Sequence, residues 1–374
     1  MTAKVTVLGA GYMGSAITFP LSDNRLEVNL WGTWLDNKLI ESSMKGYHPK
    51  LKKPLPPGVK LFYWHDLANA LKDADIIFIA VASEGFVKVF NMMLDNLDLR
   101  KQYYFFKLTK GLVQYNGKVL RATEAAFDMY KKKFPKKRFY WTTIGGPVRA
   151  LDLALRIPSA TMYGISHDEI KSILPSFSTS YYRIFPTSDL EGVEICSTFK
   201  NIYAIAAGIC DGLYKSKMDG FYHNVVAFLF NQGVSEIAKI VDLAGREKQT
   251  AYDLAGVGDL HVTSAAGRNR RYGEMIGKGV DSEEAFKKMY KEGEYGEGYI
   301  ALKLAIPWLK DCYNILQLKS RKKYCKGQQK VETDINFSSY LERELPLLNT
   351  LYNIIFRKHR PSDALANLIT QLGF

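Results

Sequence analysis

A lysine lies within a run of apolar and small residues at 197–212, STFKNIYAIAAGICDG. At helical spacing, Lys200 shares one face with Ala204, Ala207 and Gly208. Burying a lysine costs free energy unless a partner pairs with it, and a paired ammonium can donate a proton to a reacting oxygen. The alternative is a lysine at the helix edge whose ammonium reaches solvent.

Further charged side chains are concentrated at 254–279, LAGVGDLHVTSAAGRNRRYGEMIGKG. Besides Asp259 and Thr263, this stretch contains four basic residues: Arg268, Arg270, Arg271 and Lys278. Its glycines predict a loop in which backbone amides can approach an anion. Arginine in such a loop is suited to gripping an anionic ligand with two parallel hydrogen bonds.

A glycine motif follows the first predicted strand of the chain. KVTVL at 4–8 is apolar, GAGYMG follows with Gly9, Gly11 and Gly14 in G-x-G-x-x-G spacing, and SAITFPL opens a helix. Gly9 allows the tight turn, Gly11 lets a pyrophosphate approach the backbone, and Gly14 lets helix and strand pack closely. The order strand, glycine loop, helix predicts a dinucleotide-binding site.

The end of the second predicted strand bears on which dinucleotide is bound. EVNLW at 27–31 is followed by Gly32 and Thr33, where an NAD-binding fold usually has an acid, and Asp36 comes later. A 2′-phosphate would not be repelled there, yet no arginine follows at once to grip it. The sequence leaves NAD and NADP both open.

Later strands predict the rest of a mostly parallel sheet. The run ADIIFIAV at 74–81 is almost continuously apolar, as strands buried on both faces are, and further strands are predicted at 103–108 and 138–144. Ligands collect where such strands end, which here is at Ser83, Thr109, Lys110, Gly145, Gly146 and Pro147. Two more strands, SATMYGI and YYRIF, close this part of the chain. Long helical patterns then replace strands.

The sequence therefore predicts an α/β fold, a Rossmann-like, doubly wound, mostly parallel sheet followed by an all-helical C-terminal domain. We place the dinucleotide-binding domain at 1–186 and the helical substrate-binding domain at 187–374.

The composition of the chain limits the kinds of protein that it can be and the partners that it can bind. The chain has 374 residues, 47% of them apolar, and a net charge of +13, which could attract nucleic acid, an anionic membrane surface or a phosphorylated substrate. No nucleic-acid-binding signature, zinc-finger spacing, signal peptide or membrane-length apolar run is found. Four widely spaced cysteines indicate reduced thiols. We expect a cytoplasmic protein that binds a small molecule, with no nucleic-acid partner, no integral membrane segment and no metal.

Taken together, the motifs resemble those of the soluble NAD(P)-dependent glycerol-3-phosphate dehydrogenases, over nearly the whole chain and nearest to the archaeal type. The similar blocks occur in one order: GAGYMG, HPKLKKPLP at 48–56, LTKGL at 108–112, GGP at 145–147, residues 192–213, residues 254–273 and GEGY at 296–299. The resemblance implies reversible reduction of dihydroxyacetone phosphate to sn-glycerol 3-phosphate with NAD or NADP, in a homodimer.

The resemblance also implies roles for individual residues. Lys200 would be the proton donor, with Lys110, Asp259 and Thr263 as further catalytic residues. Lys110, Lys200, Arg268 and Asn269 would bind the substrate. Ala204, Ala207 and Gly208 would leave room for cofactor and substrate beside Lys200. The expected cofactor contacts are Gly9, Gly11, Tyr12, Met13, Gly14, Gly32, Thr33, Ser83, Arg268 and Glu297.

Three features depart from the family's pattern. Gln232 stands where the family usually has an arginine, GGP lacks the usual hydroxyl residue, and the basic segment 316–341 matches nothing familiar and is predicted to be a surface excursion. His48 is interpreted as structural or close to the adenosine end.

Two other functions remain open from the sequence. One is a related β-hydroxyacid or ketopantoate-type reductase, which would have no use for a phosphate grip, and the other is a non-catalytic dinucleotide sensor.

Overall fold

The computed structural model describes residues 4–215, 222–294, 296–324 and 336–373. The chain separates into two compact units, Met1–Glu194 and Ile195–Phe374. The division falls within one long helix, Leu190–Tyr214.

The first unit is built on a sheet of eight strands. Its strands are β1 (Lys4–Leu8), β2 (Glu27–Trp31), β3 (Lys60–Phe62), β4 (Ile76–Ile79), β5 (Tyr104–Lys107), β8 (Tyr140–Gly145), β9 (Ser159–Ile165) and β10 (Tyr182–Thr187), while β6 (Leu112–Tyr115) and β7 (Lys118–Arg121) form a separate hairpin. Its helices are α1 (Tyr12–Asp23), α2 (Asn37–Met44), α3 (Leu67–Leu71), α4 (Ser83–Asp95), α5 (Ala122–Lys133) and α6 (Ala150–Ala154).

The strand order in the sheet is β10-β9-β8-β5-β4-β1-β2-β3, and β8 and β9 form its one antiparallel pair among the described residues. Helices cover both faces of the sheet. Successive residues of each strand point to opposite faces, so their side chains form two separate hydrophobic cores. Phe78 and Phe106 pack with α1 and α6, whereas Ile77 and Phe105 pack with α4 and α5. The predicted doubly wound, mostly parallel sheet is confirmed.

The short elements of this unit are not predictable from the sequence pattern. Edge strand β3 has three residues, and the hairpin β6–β7 inserts between β5 and α5 directly after Lys110. Both are too short to show a clear alternation of apolar and polar residues.

The second unit contains helices and no strand among its described residues. It contains the rest of α7 (Leu190–Tyr214), then α8 (His223–Leu243), α9 (Gln249–Tyr252), α10 (Asp259–Ala265), α11 (Arg268–Gly277), α12 (Ser282–Lys291), α13 (Glu297–Tyr324), α14 (Phe337–Glu344), α15 (Pro346–Phe356) and α16 (Pro361–Gln371). The predicted helical domain is confirmed.

The loop predicted at 254–279 is wrong in its secondary structure. A π-helical turn, Leu254–Gly258, leads into α10, and α11 follows after a short connection. Several glycines of this stretch serve helix packing: a Cβ on Gly273 would lie 2.2 Å from the backbone oxygen of Ile205. Gly267, with φ +121°, is the residue that turns the chain between the two helices.

The space next to the small residues of α7 was expected to hold cofactor and substrate, and part of it is occupied by another helix. A Cβ on Gly208 would lie 1.9 Å from the backbone oxygen of Arg270, and one on Gly212 would lie 2.3 Å from that of Glu274. The idea that Gly208 leaves room for a ligand is therefore wrong, because the backbone of α11 occupies that space. Gly208 permits close packing of two helices that both carry candidate site residues.

The segment 316–341 is helical where it is described. Residues 316–324 end α13 and residues 337–341 begin α14, and Leu316 and Leu318 are exposed, so the prediction of a surface segment is not contradicted there. Residues 325–335 lie outside the described residues, as does Cys325. Cys196, Cys210 and Cys312 form no disulfide among the residues described. In the described part of the chain, no helix combines the length and apolar character needed to cross a bilayer.

Candidate active site

Lys200 is buried in the second unit and paired, which excludes the alternative that its ammonium reaches solvent at the helix edge. Its ammonium donates hydrogen bonds to Asp259 Oδ1 and, over 3.0 Å, to Thr263 Oγ1. Thr263 in turn donates to the backbone oxygen of Asp259 over 2.7 Å. Lys200 is 4% exposed and Asp259 2% exposed, so the ion pair is held largely out of water. Three residues from two helices thus fix one ammonium group in a defined position.

The π-helical turn explains how Asp259 reaches Lys200. It leads directly into the first residue of α10, which is Asp259. A Cβ on Gly256 would lie 1.9 Å from the backbone oxygen of Ala251, so only glycine fits within this tight turn. Turns of this kind are rare in helices and frequent at functional sites. The turn sets the position from which the carboxylate of Asp259 meets the lysine.

A chain of amide and carboxylate contacts is centred on Asn201, the residue after Lys200. Asn201 donates from Nδ2 to Glu297 Oε2 over 3.2 Å and accepts at Oδ1 from Asn269 Nδ2 over 2.9 Å. Asn269 Oδ1 accepts from the backbone amide of Gly298 over 2.9 Å. Arg268 Nη2 lies 3.3 Å from Glu297 Oε1. The structure therefore brings Arg268, Asn269 and Glu297 together around Asn201, the neighbour of Lys200.

Arg270 fastens the start of α11 to α7. Its guanidinium makes a two-pronged contact with Asp211, at 2.5 Å and 2.8 Å, and donates to the backbone oxygen of Ser264 over 2.5 Å. Although burial opposes it, hydrogen bonding to Arg270 holds the pKa of Asp211 below its usual value. Arg270, 25% exposed, therefore acts in the structure of the second unit, whereas Arg268 is 38% exposed.

The glycine loop of the first unit has the geometry that its spacing predicted. Gly9 has φ +108°, and a Cβ on Gly14 would lie 1.9 Å from the backbone oxygen of Gly9, so helix α1 packs against the loop. A Cβ on Gly11 would meet no atom within 4 Å. Gly11 leads into α1, with Tyr12 and Met13 half-buried in its first turn. An open backbone at the start of a helix fits the pyrophosphate of a dinucleotide.

Asp36 lies closer to this loop than the sequence analysis suggested. Its Oδ2 accepts from the amide and hydroxyl of Thr33, over 2.9 Å and 2.8 Å, and lies 3.4 Å from the amide of Ala10. Gly32 permits the turn, since a Cβ there would lie 2.6 Å from Ile40. An acid is therefore present beside the glycine loop although none ends β2. The Thr33–Asp36 spacing, in which a side chain bonds back to its own loop, was the signal for it.

His48, which the sequence analysis interpreted as structural or near the adenosine end, also supports the loop. Its Nδ1 accepts from the amide of Leu51 over 3.1 Å, which leaves the proton on Nε2, 2.9 Å from Ser15 Oγ and 3.2 Å from the backbone oxygen of Ala10. His48 is fully buried, and burial lowers its pKa. A neutral imidazole therefore ties the segment at 48–56 to the glycine loop.

The loop that carries Lys110 passes close to Ser83 at the carboxyl edge of the sheet. The loop after β5 is fixed by Thr109, whose hydroxyl donates to the backbone oxygen of Val81 over 2.8 Å. Gly111 has φ +114°, and a Cβ there would lie 3.2 Å from Ser83 Cβ. Lys110, which lies between Thr109 and Gly111 in the chain, is half-buried. The first unit thus gathers the glycine loop, Thr33, Ser83 and Lys110 on strand ends, as parallel-sheet topology requires.

Gln232 contacts a buried acid. Its Nε2 donates to Glu236 Oε1 over 2.8 Å, and Glu236 also accepts from the hydroxyl of Tyr203 and from the amides of Leu347 and Leu348. Glu236 is fully buried, and burial raises its pKa to about 7 despite these donors. The position where the family usually has a cation therefore serves the packing of α8, α7 and α15.

Comparison with known proteins places these observations in a family. The N-terminal model of NAD-dependent glycerol-3-phosphate dehydrogenase matches residues 4–171, and the C-terminal model matches residues 189–318. The glycerol-3-phosphate dehydrogenase [NAD(P)+] of Carboxydothermus hydrogenoformans is 30% identical over 98% of this chain and 96% of that protein. The chain belongs to the NAD-dependent glycerol-3-phosphate dehydrogenase family. The resemblance predicted from the sequence is confirmed.

Other relatives agree over the full length. The NADP(+)-dependent glycerol-3-phosphate dehydrogenase of the archaeon Archaeoglobus fulgidus is 29% identical over 98% of this chain and 99% of that protein. The crystal structure of glycerol-3-phosphate dehydrogenase from Coxiella burnetii is 26% identical, with a TM-score of 0.75 over 98% of this chain and 99% of that one. A family whose members use NAD or NADP confirms the predicted cofactor class.

Proposed function

We propose that this enzyme catalyses the NAD(P)-dependent interconversion of dihydroxyacetone phosphate and sn-glycerol 3-phosphate, with Lys200 as proton donor. The observation that carries the proposal is the buried Lys200–Asp259–Thr263 cluster in a chain of this family. The proposal assigns the dinucleotide to residues 1–186 and the substrate chemistry to residues 187–374. It also includes the family's homodimer and a cytoplasmic location.

Lys200 is suited to the proton transfer because its ammonium is held in one orientation. Bound NADH or NADPH supplies the hydride that reduces C2 of the ketone. Negative charge develops on the C2 oxygen, and a fixed ammonium lowers the free energy of that charge and donates a proton to it. Asp259 and Thr263 hold Nζ of Lys200 in place, and Asp259 keeps the positive charge balanced while the site is empty of substrate.

Arg268 and Asn269 are assigned to the substrate phosphate. They are the first two residues of α11, a ten-residue helix whose amino end favours anions. The guanidinium of Arg268 can make a charge-assisted, two-pronged contact with a phosphate. Lys110 is assigned to the substrate as a second cation, which would help to polarise the carbonyl group. The cofactor contacts assigned to the glycine loop, Gly32, Thr33, Ser83, Arg268 and Glu297 remain part of this proposal.

Replacing Lys200 tests the proposal at the residue that carries it. In Lys200→Met the side chain keeps most of its length and loses the proton donor, so kcat for reduction of dihydroxyacetone phosphate should fall about 100- to 10,000-fold. Dissociation constants for NADH and NADPH, measured by fluorescence titration, should stay within about twofold of the parent because the cofactor loop is untouched.

The matched control is Lys278→Met, which removes an exposed lysine of the same unit that pairs with Glu274 over 2.6 Å. This control should keep the parent's kcat. If Lys200→Met folds, binds cofactor and turns over within tenfold of the parent, the assignment of Lys200 as proton donor is wrong.

A further inference from the structure

A second buried lysine, Lys107, lies close to Lys110 in the chain and is unexplained by the roles above. We propose that Lys107 and Glu194 are positioning residues that fix the peptide carrying Lys110. This inference rests on the proposed role of Lys110 in binding the substrate. It assigns no direct contact with substrate or cofactor to either residue.

The ammonium of Lys107 hydrogen-bonds to one peptide group, the one between Thr109 and Lys110. Lys107 is the last residue of β5, and its Nζ donates to the backbone oxygen of Thr109 over 2.9 Å. That oxygen belongs to the peptide bond that joins Thr109 to Lys110. The same Nζ lies 3.0 Å from Glu194 Oε1, and both side chains are 1% exposed.

The other polar groups of Thr109 are held from the opposite direction. Its amide donates to the backbone oxygen of Ile79 over 3.1 Å, and its hydroxyl donates to that of Val81 over 2.8 Å. The end of β4 therefore fixes one side of the residue, and Lys107 fixes its carbonyl. With both ends of Thr109 held, the direction in which the chain enters Lys110 is set.

Glu194 is itself anchored. Its Oε1 also accepts from the amide of Thr123, in the first turn of α5, over 3.1 Å. Burial alone would raise the pKa of Glu194, but the charges of Lys107 and Arg121 hold it below its usual value, so the residue is a carboxylate. Burial lowers the pKa of Lys107, and the charge of Lys110 is near enough to lower it further.

The energetic cost of this arrangement argues for a role in positioning. A buried ion pair contributes little net stability, since desolvation offsets the attraction, and an apolar pair of similar volume often does as well. The neighbouring residues of β5, Phe105 and Phe106, are fully buried and apolar. What the charged pair adds at this position is a directed hydrogen bond to Thr109, which no apolar side chain can make.

The test combines changes at Lys107 with changes at Lys110. Lys107→Met should lower kcat/KM for dihydroxyacetone phosphate about 10- to 100-fold, as expected for a displaced substrate-binding group. In a Lys110→Ala background the same change should cost less than about twofold, because its effect acts through Lys110. Glu194→Gln should behave in the same way. A merely structural role for Lys107 would lower activity equally in both backgrounds.

A second variant keeps the inference testable if Lys107→Met fails to fold. Should Lys107→Met unfold because the buried Glu194 loses its lysine partner, Lys107→Met/Glu194→Gln removes both charges and allows the same comparison. The control is Lys101→Met, which removes one lysine of an exposed pair with Asp75 and should change nothing. An equal loss with and without Lys110, or full activity in the double variant, overturns the inference. Full activity of Lys110→Ala alone would instead contradict the proposed role of Lys110.

Discussion

Lys200 shows what the sequence can and cannot supply for a single residue. Its place among small and apolar residues indicated burial, and burial required a partner. Spacing alone could not identify Asp259, which is far away in the chain and reaches Lys200 through a π-helical turn. The family resemblance named both as catalytic residues, and the structure shows that they pair. Asp36 was missed because its role depends on a loop that turns back on Thr33.

Arg268 provides the residue-scale prediction for substrate binding. Arg268→Ala should raise KM for dihydroxyacetone phosphate about 10- to 100-fold, the equivalent of one charge-assisted hydrogen-bond contact, with a smaller effect on kcat. Steady-state kinetics at saturating cofactor measures both. Arg271→Ala is the control, since Arg271 lies on the same helix and pairs with Glu292 and Glu294. Equal KM values for Arg268→Ala and the parent would show that Arg268 does not bind the substrate phosphate.

Gln232 gives a pH-dependent prediction. The folded protein holds a proton on Glu236 up to a pKa of about 7, whereas an unfolded glutamate loses it near its ordinary value of 4.5. The free energy of unfolding therefore falls as pH rises between these values and then levels off. Gln232→Arg places a cation beside the carboxylate, which should lower its pKa and stabilise the protein by about 1 to 3 kcal/mol at pH 8.5 but not at pH 5.

Melting temperatures at the two pH values measure this difference. Gln114→Arg adds the same charge at an exposed position of β6 and should leave the melting temperature nearly constant at both. A Gln232→Arg variant whose melting temperature differs from that of the parent by the same amount at pH 5 and pH 8.5 would show that Glu236 does not titrate in this range.

At the scale of elements, the strands were predictable and the short insertions were not. Apolar runs and the glycine motif located seven of the eight sheet strands, because buried parallel strands leave a continuous apolar pattern. From the sequence, the glycines at 254–279 predict a loop because glycine is common in loops. In the structure they allow α7 and α11 to approach at backbone distance, a contact that depends on two distant segments.

Packing of α7 against α11 leads to a stability prediction. Gly208→Ala places a methyl group against the backbone of Arg270, so the variant should lose about 1 to 3 kcal/mol of stability and several degrees of melting temperature. Gly85→Ala is the matched control: it lies in α4, and its added Cβ would meet no atom within 4 Å. This control should be unchanged or slightly more stable. Equal melting temperatures for the two variants would contradict the close helix contact.

At the scale of the whole molecule, the composition was compatible with several classes of binding partner. The order of the motifs along the chain favoured one of them. A net charge of +13 is compatible with nucleic acid, membranes or phosphorylated metabolites. Motifs from both units, taken in order, favoured one family, and matches over residues 4–171 and 189–318 confirm it. The preference between NAD and NADP depends on few contacts near Thr33 and Asp36, which is why neither motif nor fold decides it.

The most direct test of the whole account is the reaction itself. The purified chain, given dihydroxyacetone phosphate with NADH and NADPH in parallel assays, should oxidise at least one cofactor and form sn-glycerol 3-phosphate as a single enantiomer. Unphosphorylated dihydroxyacetone and ketopantoate should be poor substrates because neither carries the phosphate group that Arg268 and Asn269 are proposed to bind. Absence of turnover of dihydroxyacetone phosphate with both cofactors, in a folded protein that binds them, would contradict the account.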